Sequence, residues 1–173
     1  MNRKLQAGLL TIMAFMVANG WAAEDNGAGF DIAPHHVGIS VPNLEESIAW
    51  YHKMLGFDVI RRMRQAANPE MTFALLQRGD CYIELFQVVG ARPMPEYRSD
   101  PTADLYVHGT KHIAFRVKDA RAAADILKAK GAEIALGPVE NPRVVFVFIR
   151  DNSGNTFELI QFKNPNEPVA TDS

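Results

Sequence analysis

The sequence predicts an α+β fold made of two tandem βαβββ modules whose strands form a cupped mixed sheet around a cleft. Three observations predict it. The stretch His36-Val37-Gly38-Ile39-Ser40-Val41 recurs as His112-Ile113-Ala114-Phe115-Arg116-Val117, each a histidine followed by apolar residues at every second position. Ile83-Glu84-Leu85-Phe86-Gln87 recurs as Phe157-Glu158-Leu159-Ile160-Gln161. His112 follows His36 by 76 positions and Glu158 follows Glu84 by 74. An offset that holds at both ends of a ~50-residue unit marks a duplicated module.

The elements follow in order. Residues 1–22 have the parts of a secretory signal: basic Arg3 and Lys4, an apolar run from Leu9 to Ala18, and small residues in Gly20-Trp21-Ala22. The run is shorter than the ~20 residues a membrane-spanning helix needs. The expected address is therefore periplasmic or secreted, with no membrane contact after cleavage. The first module occupies 34–88. Its first strand gives way at Pro42-Asn43 to a helix from Leu44 to Met54, stopped near Gly56. Strands follow over Asp58–Arg64, Met71–Arg78 and Cys81–Val88, the last two joined by the turn Arg78-Gly79-Asp80. Residues 89–111, with Pro93, Pro95 and Pro101, read as a proline-rich linker loop. The second module, 112–162, repeats the order. It has a helix from Ala120 to Lys130 before Gly131 and strands over Glu133–Leu136, Val144–Arg150 and Thr156–Phe162. Residues 163–173 form a flexible tail.

Bulk properties narrow the function. The chain has 173 residues, 47% hydrophobic and 22% charged, an ordinary globular mixture. A net charge of −2, which becomes more negative if Arg3 and Lys4 are removed, recommends neither nucleic acid nor an anionic membrane as a partner. The single cysteine, Cys81, cannot form an intrachain disulfide. Its apolar strand context predicts a buried, inert thiol rather than a nucleophile.

Strand alternation sorts the side chains by face. Val37, Ile39 and Val41 point to the helix side with Ile83 and Leu85. His36 points the other way with Tyr82, Glu84 and Phe86. The second module repeats this, with His112 and Glu158 opposite the apolar residues. A pseudo-twofold relation between the modules would bring both His–Glu pairs to one cleft. Two imidazoles and two carboxylates suit one divalent metal ion, Zn, Ni, Fe, Mn or Co, with positions left for water or substrate. A lone histidine opening a strand, or a lone glutamate within one, is ordinarily structural or solvated. The repetition in register is what favours ligation. His35 competes with His36, but the alternation assigns His35 to the helix side. His52, on a helix, and His108, in the linker, read as structural or exposed.

The segments PHHVGISVPNLEESIAWYHKMLGF, GTKHIAFRVKDARAAADILKAKGAEI and FIRDNSGNTFELIQF resemble the vicinal oxygen chelate proteins. That group contains glyoxalase I, methylmalonyl-CoA epimerase, extradiol dioxygenases and antibiotic-resistance proteins. The resemblance implies paired βαβββ modules with a metal in the cup and puts the ligand positions on His36, Glu84, His112 and Glu158, a glyoxalase I-like set. Two places depart from the usual pattern, Asp151-Asn152-Ser153-Gly154 and Glu140-Asn141-Pro142-Arg143.

The function expected is an exported metal-dependent lyase or isomerase acting on a small molecule. It would remove a proton next to a carbonyl through a metal-bound enediolate, with Glu158 as general base and Glu84 as its pseudo-symmetric partner. Tyr82, Phe86, Phe146 and Phe148 would line an apolar pocket, and Arg98, Tyr106 and Arg143 would anchor or roof the substrate. Two alternatives stay open: an Fe(II) ring-cleaving dioxygenase acting on an aromatic diol, and a non-catalytic binding or resistance protein. A homodimer is possible, with the site formed within one chain or between two.

Overall fold

A computed structural model describes residues 33–65 and 68–164. The expected signal peptide and residues 165–173 of the expected tail lie outside the described residues. From His35 onward the chain forms one compact unit. Its elements are β1 (Val37–Ser40), α1 (Leu44–Leu55), β2 (Asp58–Gln65), β3 (Asn68–Arg78), β4 (Cys81–Val88), a 3-10 turn (Glu96–Ser99), α2 (Pro101–Asp104), β5 (Ile113–Arg116), α3 (Ala120–Ala129), β6 (Glu133–Glu140), β7 (Val144–Arg150) and β8 (Thr156–Phe162). They make two four-stranded sheets ordered β1-β4-β3-β2 and β5-β8-β7-β6. This is the expected tandem βαβββ arrangement.

Both helices start through the same device. Asn43 accepts from the amides of Glu45 and Glu46, and Asp119 accepts from that of Ala122. In each module the glutamine three residues beyond the glutamate caps the helix as well. Gln87 Oε1 accepts from the Leu44 amide at 2.7 Å, and Gln161 Oε1 from the Ala120 amide at 3.0 Å. Gly56, at φ 68, closes α1 in a left-handed conformation that other residues adopt only at a cost.

The helices bury a stripe at three- and four-residue spacing: Leu44, Ser47, Tyr51, Met54 and Leu55 on α1, and Ala120, Ala124 and Leu127 on α3. The apolar residues of these stripes join Ile83, Leu85, Val147, Ile149, Phe157 and Leu159 in one core shared by both modules. Tyr51 meets Phe157 edge-on at 5.8 Å, and Phe57 lies 6.1 Å from Phe115. The Tyr51 hydroxyl donates to Asp151 Oδ2 at 2.7 Å across the module boundary. Asp151, itself buried, also accepts from the Ser153 and Asn155 amides and the Asn155 side chain. Lys53 donates to the Lys130 carbonyl and Lys130 to the Lys53 carbonyl, both at 3.0 Å, so each helix caps the other's C-terminal end. The modules thus bury their helix-side faces against each other.

Three differences from the sequence reading have local causes. Strand β6 runs on to Glu140 instead of stopping at Leu136. Pro138 lacks an N–H, but β6 is an edge strand and the pairing with β7 shifts register there, which accommodates it. Gly137, at φ 96, is required, because an added Cβ would sit 2.9 Å from the Phe146 carbonyl oxygen. The linker 89–111 contains two short helical turns, the second capped by Asp100 through the Thr102 and Ala103 amides, with Pro101 in the first helical turn. Cys81 is exposed rather than buried. It lies at the hairpin end of β4, paired with Arg78 beyond the buried Ile83. Partial desolvation outweighs the nearby Arg78 and pushes its thiol above the ordinary range, which disfavours the thiolate.

Candidate metal centre

Each module builds the same pair. His36 and His112 occupy the position just before β1 and β5. The glutamates are centred in β4 and β8, with Gly38 opposite Glu84 and Ala114 opposite Glu158 in matching parallel registers. His36 Nε2 lies 3.2 Å from Glu84 Oε2, and His112 Nε2 lies 3.2 Å from Glu158 Oε2. The imidazoles are partly open and the carboxylates mostly covered, with Glu84 17% and Glu158 14% accessible.

The donor set fits a divalent ion. Two ligands each about 2.1 Å from a tetrahedral or octahedral ion are separated by roughly 3.0–3.4 Å, which brackets the observed 3.2 Å. The pairs do not join within one chain, however. Among the described residues no group of three or more His, Cys, Asp or Glu side chains is placed to hold a metal. The reason is the shared core: the helix-side faces meet each other, so the opposite faces that carry the two pairs point away from it. The single cleft anticipated from pseudo-symmetry is therefore not formed within one chain, where the two His–Glu pairs lie apart among the described residues.

The half-sites have different surroundings. Beside His112 and Glu158 is a cavity of about 310 Å³ walled by Leu105, Leu136, Phe146 and Phe148. The Phe148 ring meets His112 at 66°, with centroids 5.0 Å apart. Phe146 and Phe148, named in the sequence reading, line this cavity together with Leu105 and Leu136, which it does not name. In module one, Tyr82 and Phe86 share the Glu84 face. Tyr82 receives a hydrogen bond from Gln77 at 2.9 Å, and Phe86 packs 5.6 Å from Phe73 and covers Gly38. His35 is not on the helix side, because alternation does not extend back past the start of β1. It is exposed, stacks on Tyr82 and touches His36.

The expected anchoring residues separate. Arg98 binds the buried Asp104 carboxylate at 3.3 Å and the Thr110 carbonyl at 2.9 Å, and it lines a larger cavity of about 800 Å³ between the edges of β1 and β5. Tyr106 is 90% exposed. Arg143 is exposed in the β6–β7 turn. Neither lines either cavity. Lys111, absent from the sequence reading, reaches both cavities while paired with Asp104 at 3.2 Å. The signal that could have found this corner is Asp100-Pro101, a helix start inside the supposed loop. His52 pairs with Asp58 on the surface and His108 is exposed, as expected for residues outside the site.

Paired βαβββ modules, each with a His–Glu pair on its outer face, define the chain as a duplicated-module α+β protein. Residues 33–159 match the Glyoxalase/Bleomycin resistance protein/Dioxygenase superfamily, and the chain belongs to that superfamily. Lactoylglutathione lyase of Haemophilus influenzae is 29% identical over 75% of this chain and 92% of its own length. Lactoylglutathione lyase of Neisseria meningitidis is 30% identical over 78% of this chain and 94% of its own. Among solved structures, the trypanothione-dependent glyoxalase I of Leishmania major superimposes with TM-score 0.59 at 23% identity, covering 76% of this chain and 87% of that one, a likeness of fold.

Proposed function

We propose that the chain is an exported, divalent-metal-dependent lyase or isomerase of the glyoxalase type, with one metal held by His36 and Glu84 of one protomer and His112 and Glu158 of a second. The observation that carries this reading is the pair of half-sites: same residue types, same register, same 3.2 Å separation. Two half-sites turned away from a common core are completed by a twofold partner, for which each sheet offers a short edge strand, β1 or β5.

A divalent ion held by His36, Glu84, His112 and Glu158 would supply Lewis-acid polarisation of the substrate carbonyl. The chain's own residues do the rest. Glu158 takes the proton from the hydroxyl-bearing carbon next to the carbonyl, and the C–H pair forms the carbon–carbon double bond as the carbonyl π pair moves onto its oxygen. The same carboxylate then returns the proton to the former carbonyl carbon, while the hydroxyl proton of the first carbon passes to the neighbouring oxygen and leaves the thioester C=O. Starting from the adduct of a 2-oxoaldehyde and a thiol, this sequence gives a 2-hydroxyacyl thioester with every atom retained and no redox partner. Phe146, Phe148, Leu105 and Leu136 hold the substrate's apolar part and exclude water from the exchanged proton. Lactoylglutathione, named for the relatives, is a thioester of this kind. Export rests on Arg3, Lys4 and the apolar run after them. A mature N-terminus at Ala23 in periplasmic or secreted protein would support it, and an uncleaved cytoplasmic product would remove it.

The decisive test mixes two inactive variants. Chains carrying His36→Ala and chains carrying His112→Ala, unfolded together and refolded, form heterodimers with one doubly broken and one intact site. Thioester formation and metal content should return to about one quarter of wild type if the site is shared between chains. No recovery, with each variant still dimeric, would overturn the shared site. No specific metal uptake by wild type would overturn the enzyme reading altogether.

A further inference from the structure

The two half-sites match in their ligands but not in what supports them. The His36 ring touches His35, Nδ1 to Nδ1 at 2.7 Å, with the rings at 83° and their centroids 5.0 Å apart. His35 is in turn stacked on Tyr82, centroids 5.3 Å apart and planes within 6°. Tyr82 is held by Gln77 Nε2, which donates to both the Tyr82 hydroxyl and the Gly79 carbonyl. The chain of support therefore runs from the β3–β4 hairpin through Tyr82 and His35 to the far nitrogen of His36. In module two the residue before the histidine is Lys111, which turns to Asp104 instead, and beside its Glu158 contact the His112 ring meets the edge-on ring of Phe148.

We infer that His35 is a positioning residue for the metal: it orients the His36 ring and supplies the hydrogen-bond partner that a ligating imidazole needs on its other nitrogen. This rests on the metal reading above. A ring that ligates through Nε2 carries its proton on Nδ1 and must donate it. The partner at Nδ1 therefore has to accept. A neutral imidazole does so through its unprotonated nitrogen and a side-chain amide through its oxygen, whereas an ammonium or a phenyl ring cannot.

The chemistry sets the rescue pattern. The full chain would be prepared as wild type and as His35→Gln, His35→Phe and His35→Lys, with His36→Ala as reference. Zn²⁺ affinity would be measured by chelator competition, and folding by thermal melting. His35→Phe keeps the stack on Tyr82 and loses the bond. It should weaken Zn²⁺ binding about ten- to a hundredfold, the range for removing such outer partners, while melting near wild type. His35→Lys should bind as weakly, and His35→Gln should return to within a few-fold of wild type. Equal affinity of wild type and His35→Phe, or a His35→Gln variant no better than His35→Phe, would overturn the inference while leaving the metal site standing. A wild type that binds Zn²⁺ no better than His36→Ala would overturn both.

Discussion

The two modules share a plan and divide the labour. Module one presents His36 and Glu84 on a braced surface, where His35 stacks on Tyr82 and touches His36 and Phe86 packs on Phe73. Module two presents His112 and Glu158 at the mouth of an apolar cavity under the α2 segment. Their turns differ as well. The β3–β4 turn, Gly79-Asp80, is exposed, whereas the β7–β8 turn drives Asp151 into the module boundary to meet Tyr51. Duplication preserved what each half needs in order to fold and to offer two donor atoms. The surroundings of the two pairs differ: His35 and Tyr82 stack beside one, and Phe146 and Phe148 wall a cavity beside the other.

This division can be broken first at the glutamates. If module two holds the proton acceptor, Glu158→Gln should lower kcat by about 10²- to 10⁴-fold with the chain still folded. Glu84→Gln should act mainly through weaker metal retention and be recovered in part by excess metal. Equal kcat losses at saturating metal would erase the distinction. Next comes the boundary turn. Asp151→Ala strips four donors of their acceptor and should cost about 3 kcal/mol, consistent with breaking a buried charged network. Asp80→Ala in the exposed counterpart should stay within about 0.5 kcal/mol in urea unfolding.

Tyr51→Phe sharpens the same contrast and should cost about 1–2 kcal/mol. Burial first, and then the neighbouring Asp151 carboxylate, push the Tyr51 hydroxyl well above the ordinary tyrosine range. A pKa raised by folding favours the protonated form, so this contribution is fully present below about pH 10, the unfolded tyrosine value, and declines above it. Wild type should therefore lose stability more steeply than Tyr51→Phe above pH 10. Parallel stability curves there would remove the assignment. The smallest effect is expected at Cys81. Exposed and without a partner cysteine, it should tolerate serine within about 0.5 kcal/mol.

Much of the fold was legible because it rests on periodicities. Alternation over Val37, Ile39 and Val41 and over Ile83 and Leu85 located the buried face, and glycines at 56 and 131 located the helix ends. The same alternation placed His36 with Glu84 and His112 with Glu158. It failed two residues before the strand, where His35 is free of the pleat and stacks on Tyr82. It also failed for Cys81, whose strand face is apolar but which lies exposed at the hairpin end of β4. The α2 corner, with Asp104, Lys111 and Leu105, was hidden among prolines, because capping signals are short and compete with turn signals of the same composition.

The sequence by itself determined the duplicated module, its sheet faces and the two donor pairs, since each depends on residues within one strand or on neighbouring strands of one module. Only the tertiary structure decided how the halves meet. Tyr51, Phe57, Phe115 and Phe157 join the helix-side faces of both modules in a common core, and that choice turns the two His–Glu pairs away from it. Strand alternation fixes which face a side chain occupies, but which faces pack together is set by burying the largest apolar area, a sum over both modules that no local pattern contains.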